Sequence, residues 1–60
     1  MDELLTVKEV AEKMKITEKS VRRYVAEGML KAIKLERVLR FREDDIEEFL
    51  TERTINAKGG

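Results

Sequence analysis

Lys19, Ser20, Arg22 and Arg23 crowd one short stretch, KITEKSVRRYVAEGML at residues 15 to 30, and Lys34, Arg37, Arg40 and Arg42 recur along the next. Such a set does one kind of chemistry well. It binds anions, the guanidinium through a planar fork that matches phosphate or a guanine edge, the ammonium as a compact point charge. Other chemistries are thinly supplied. The chain has no histidine and no cysteine, so common zinc ligands, a thiolate nucleophile and the usual general base are missing. Asp44 and Asp45 are adjacent acids at the start of an expected helix, where they suit the positive end of its dipole rather than acid/base work. No enzyme, metal, cofactor or small-molecule ligand is expected.

The formal net charge is zero, but it is distributed unevenly along the chain. Residues 1–12 set Lys8 against Asp2, Glu3, Glu9 and Glu12, a balance of −3. Residues 13–42 set ten basic side chains against Glu18, Glu27 and Glu36, a balance of +7, and residues 43–60 return −4. A basic block between acidic ends makes a polarised molecule, whose field steers a polyanion onto one face.

Sixty residues are enough for one domain, and a domain of this size buries only roughly 60% of the surface its unfolded chain exposes. No apolar run approaches a membrane span, and the acidic Met1-Asp2-Glu3 start is unlike a signal peptide. A cytoplasmic location is expected, and the lack of cysteine agrees with a reducing compartment.

The elements that must position the basic residues are legible in part. Thr6-Val7-Lys8-Glu9 has the form of a capping box, with Leu5 and Val10 at the staple positions. The apolar stripe Val7, Val10, Ala11 and Met14 then predicts a helix over residues 7–14. Thr17 caps a second helix, over 17–27, which buries Val21, Tyr24 and Val25 and ends at Gly28. So short a linker predicts a helix-turn-helix.

Beyond Gly28 the apolar period becomes 2, with Ile33, Leu35, Leu39 and Phe41 alternating with Lys34, Arg40 and Arg42. This predicts a hairpin over residues 32–42. A three-residue loop, Glu36-Arg37-Val38, puts all four apolar residues on one face and pairs Ile33 with Phe41 and Leu35 with Leu39. It also sets Lys34 opposite Arg40, a like-charge pair that an overlying anion would relieve. A last helix starting near Glu43 to Asp45 is expected to bury Ile46, Phe49 and Leu50. Residues 1–53 form the expected domain and 54–60 a frayed tail.

The stretches LTVKEVAEKMKITEKSVRRYVAEGML, KAIKLERVLRFRE and DDIEEFL together resemble the excisionase and MerR-like DNA-binding group over about residues 4 to 52. The resemblance implies a mainly α fold with a β-hairpin, a small winged helix-turn-helix in the order helix, turn, helix, two-stranded wing, helix. Ala11 falls where the two helices touch. Val10, Met14, Ile16, Val21 and Tyr24 fall at core positions. The second helix would enter the major groove of double-stranded DNA, and the wing would lie over the backbone or minor groove.

On that reading Lys19 and Arg23 face base edges, Ser20 meets a base or phosphate, and Arg22 and Tyr24 contact phosphate. Thr17 offers free helix-end amides, and Lys34, Arg37, Arg40 and Arg42 make the wing's basic face. Two positions depart from the group's pattern. Lys15 stands in the turn where glycine is usual, and would adopt the left-handed conformation at a cost of about 1 kcal/mol. Glu36 stands at the wing tip where glycine is also usual, an acid that repels phosphate.

Within the group, the size fits a monomer that binds direct repeats cooperatively, bends DNA and assists a recombinase; a small transcriptional regulator fits almost equally well. The alternative is a phage or plasmid adaptor whose acidic helices dock a protein partner while DNA binding is weak. Glu47, Glu48 and Glu52 would serve it.

Overall fold

Thr6 opens the first helix, as its sequence context predicts. In the computed structural model, which describes residues 3–54, its hydroxyl accepts from the Glu9 amide at 3.0 Å and the Glu9 carboxylate accepts from the Thr6 amide at 2.9 Å. The reciprocal pair satisfies two amides that would otherwise lack intrahelical partners. The chain runs β1 (Leu4–Leu5), α1 (Val7–Met14), α2 (Glu18–Ala26), β2 (Ile33–Leu35), β3 (Val38–Arg42) and α3 (Glu43–Glu52). All but the first residue of the expected tail lie outside the described residues.

The helices α1 and α2 end in the same hydrogen-bonded pattern built on different residues. At Gly28, φ is 76°, with Gly28 donating to Val25 O at 3.0 Å and Met29 to Tyr24 O at 2.9 Å. At Lys15, φ is 59° and ψ 45°, with Lys15 donating to Glu12 O at 3.3 Å and Ile16 to Ala11 O at 3.0 Å. Both are Schellman ends, and the left-handed residue costs glycine nothing but costs lysine about 1 kcal/mol. The tight turn is therefore obtained with strain at Lys15.

Behind these turns Val7, Val10, Ala11, Val21, Leu30, Phe41, Ile46 and Phe49 form one buried cluster, with Leu5, Met14, Ile16, Tyr24, Val25, Ala32 and Leu39 packed partly against it. Every element except β2 contributes through its own residues, so the core is what fixes α2 relative to the sheet and α3. Among the described residues no buried polar or charged residue interrupts it.

The sheet differs from expectation in two ways. Leu4–Leu5 pairs antiparallel with β3, Leu4 opposite Arg42 and Leu5 opposite Phe41, so the hairpin becomes a three-stranded sheet in the order β1-β3-β2. The hairpin register is also not the one expected. Ile33 pairs with Arg40, Lys34 with Leu39 and Leu35 with Val38, around a two-residue turn at Glu36-Arg37.

Glu36 takes φ 57° in that turn, while Arg37 keeps a negative φ. A positive φ at the first central position is the sign pattern of the primed turns whose twist matches the strands they join. The expected register assumed that every aliphatic residue must turn inward. The short edge strand β2 is free of that demand, because Leu39 and Phe41 of β3, with Leu5 of β1, already cover the core. Like-charge pairing of Lys34 with Arg40 does not occur.

The third helix buries Ile46 and Phe49, whereas Leu50, expected inside, is 38% exposed. Glu43, Asp44 and Asp45 occupy its first turn, with no side-chain cap from Arg42. Its far end is tied by Arg53, which donates to Phe49 O at 3.3 Å and lies 3.9 Å over the Phe49 ring, and by the Thr54 hydroxyl on Leu50 O at 2.7 Å.

Candidate nucleic-acid interface

On α2 the Thr17 hydroxyl accepts from the Ser20 amide at 3.1 Å and donates to the Ser20 hydroxyl at 3.0 Å. Thr17 is thus the helix cap, and the Ser20 side chain is already engaged with it. Val21 is fully buried, and at 3.6 residues per turn the opposite face carries Lys19 and Arg23, one turn apart and both exposed. Those two are brought together as the sequence predicts.

Arg22 projects to one side of that face and pairs with Glu18 at 3.7 Å. The pair is exposed, so it holds the guanidinium only weakly against a competing phosphate. Tyr24 is half-buried, its ring 5.3 Å from that of Phe49, while the Arg23 guanidinium lies 5.4 Å from the Tyr24 ring centre. Tyr24 is therefore a packing residue that also flanks Arg23.

The wing residues do not form the single basic face that was expected. Because side chains alternate along a strand, Arg40 and Arg42 share the outer face of the sheet with Leu4, Ile33, Leu35 and Val38, whereas Lys34 lies on the opposite side with Leu39. Arg37 stands in the turn. Arg40 is half-buried and donates to Leu39 O at 2.8 Å, and Arg42 is exposed where β3 runs into α3.

Sequence reasoning missed the apolar character of this outer face, where Leu35 and Val38 are 46% and 45% exposed. The signal was available in Leu4-Leu5, two apolar residues before the α1 cap that could pair with a strand. It also missed the groove beside α3, which no local periodicity marks.

A tightly turned helix pair, a basic exposed face on its second helix and a hairpin flanking it define a winged helix-turn-helix domain. Residues 4–54 match the sequence pattern of the family described as a helix-turn-helix domain, and the chain belongs to that family, an excisionase-like group of DNA-binding domains. No curated protein and no solved structure matches the chain. Among the described residues no helix is long and apolar enough to cross a membrane.

Proposed function

We propose that this domain binds double-stranded DNA sequence-specifically, as a small excisionase-like recombination factor or transcriptional regulator. The observation that supports it best is the placement of Lys19 and Arg23 on the exposed face of α2, directly opposite buried Val21. A helix held by its back and basic on its front suits the major groove, where arginine bonds the O6 and N7 of guanine.

In this reading Arg23 and Lys19 read base edges, Arg22, freed from Glu18, takes one phosphate, and the Tyr24 hydroxyl and the helix end at Thr17 meet others. Ser20, whose hydroxyl accepts from Thr17, keeps its own proton to donate to a base or phosphate. Arg37, Arg40 and Arg42 line the backbone or minor groove beside the wing, with Lys34 approaching from the other side of the hairpin. Further copies bind cooperatively on adjacent sites, or a recombinase joins them, in the cytoplasm and on the nucleoid.

The test is fluorescence anisotropy of labelled duplexes at two salt concentrations, followed by selection from random sequences. Wild type should bind with a steep salt dependence, about 0.9 in the log–log slope for each phosphate neutralised. The folded Arg23→Ala, Arg40→Ala double variant should fail to select a site. Absence of binding by folded wild type at low salt would overturn the proposal and favour the adaptor.

A further inference from the structure

Met29 follows the Gly28 turn with 42% of its surface exposed, beside a shallow groove of about 80 Å³. The groove is lined by Met29 and Phe49 together with Lys31, Asp45, Glu48 and Glu52. That volume is well below the range for small-molecule sites and suits one apolar side chain of a partner.

The three acids lie on the same side of α3, since residues 45, 48 and 52 follow a helical stripe. They are poorly balanced. Among the described residues Asp45 and Glu48 make no ion pair, and Glu52 has only its neighbour Arg53, at 3.6 Å. Six of the ten residues of α3 are acidic and none is basic, and Glu43–Glu47, Asp44–Glu48 and Glu48–Glu52 are all repelling pairs four apart. A helix that tolerates such repulsion beside the exposed Met29 is complementary to a cationic, partly apolar surface. Three acids against one lysine in the groove lining disfavour nucleic acid and anionic lipid.

We propose that the groove between Met29 and α3 docks a cationic amphipathic segment of a protein partner, whose apolar side chain sits on Met29 and Phe49 while its lysines or arginines meet Asp45, Glu48 and Glu52. The same charges turn this face away from phosphate, so it stays free when the basic face is on DNA. The inference stands independently of the DNA-binding reading.

The test uses a fluorescein-labelled peptide with leucine and lysine in helical register, and a control with serine in place of leucine at equal charge. Wild-type protein should bind the leucine peptide at least tenfold tighter than the control and show amide shifts at Lys31, Glu48 and Phe49. Met29→Ser should reduce the leucine peptide to the control's affinity, and Glu48→Gln with Glu52→Gln should weaken it at least fivefold. Both changes are at exposed positions, and circular dichroism checks their folding.

The paired glutamine variant should leave duplex affinity within threefold of wild type or tighten it. Equal binding of the two peptides, shifts centred elsewhere, or no binding would overturn the proposal. So would a loss of duplex binding in the glutamine variant, because it would place this face on the DNA.

Discussion

The Tyr24 ring packs against the Phe49 ring at 5.3 Å between centroids and a 57° tilt, joining α2 to α3. Through this pair the helix that carries Arg23 is braced by an element far along the chain. Phe49 is only 6% exposed, so Phe49→Ala should cost about 3–5 kcal/mol. A domain of this size has roughly 3–9 kcal/mol in all. Urea denaturation should show the variant largely unfolded or close to its midpoint in buffer. Tyr24→Phe keeps the packing and removes the hydroxyl, so it should hold stability and lower duplex affinity while leaving the salt slope unchanged, because a neutral hydroxyl releases no counterion.

Lys15 and Glu36 are the two non-glycine residues with positive φ among the described residues. Lys15→Gly and Glu36→Gly should each raise stability by up to about 1 kcal/mol, the relief of left-handed strain offset partly by the greater freedom of glycine when unfolded. For a domain this small, that corresponds to several degrees in Tm, on the order of 4–8 °C per kcal/mol. Glu36→Gly should also tighten duplex binding, because it removes an acid from the wing tip. Thermal denaturation reads the stability of each variant and duplex anisotropy its affinity.

Thr17 caps α2, so Thr17→Ala should cost about 1 kcal/mol. Thr17→Asp distinguishes capping from phosphate binding, since aspartate caps as well but brings a negative charge. Stability should be retained and duplex affinity should fall, read by denaturation and anisotropy on the same sample. Unchanged affinity would remove the α2 N-terminus from the interface.

Glu18 competes with DNA for Arg22 through an exposed contact at 3.7 Å. Glu18→Gln should therefore change stability by well under 1 kcal/mol, the usual scale of an exposed helix pair. Duplex affinity should rise, most at low salt, where removal of a repelling carboxylate matters most. A titration across ionic strength checks the trend.

Much of this protein was determined by short stretches of its sequence. The Thr6–Glu9 box, the Thr17 cap and the Gly28 stop act through bonds spanning a few residues, and α1 runs over Val7–Met14 as the stripe predicts. Lys19 and Arg23 were placed opposite Val21 by the helical period alone. The left-handed turn at Lys15 was expected through the family resemblance, which puts glycine at that turn position.

Only the tertiary structure decided the sheet. Alternation of apolar residues says that a strand has two faces, but which residues of β2 share a face with those of β3 depends on one residue in the turn. The partner for Leu4–Leu5 lies almost forty positions away, at Phe41 and Arg42, beyond any local pattern. Once β1 and β3 had supplied the core with Leu5, Leu39 and Phe41, Leu35 and Val38 could remain exposed, and Lys34 could be separated from Arg40. Leu50 and the Met29 groove were decided in the same way, by how far α3 rolls as Ile46 and Phe49 seek the core. Burial is a property of the assembled surfaces, so no window of the sequence contains it.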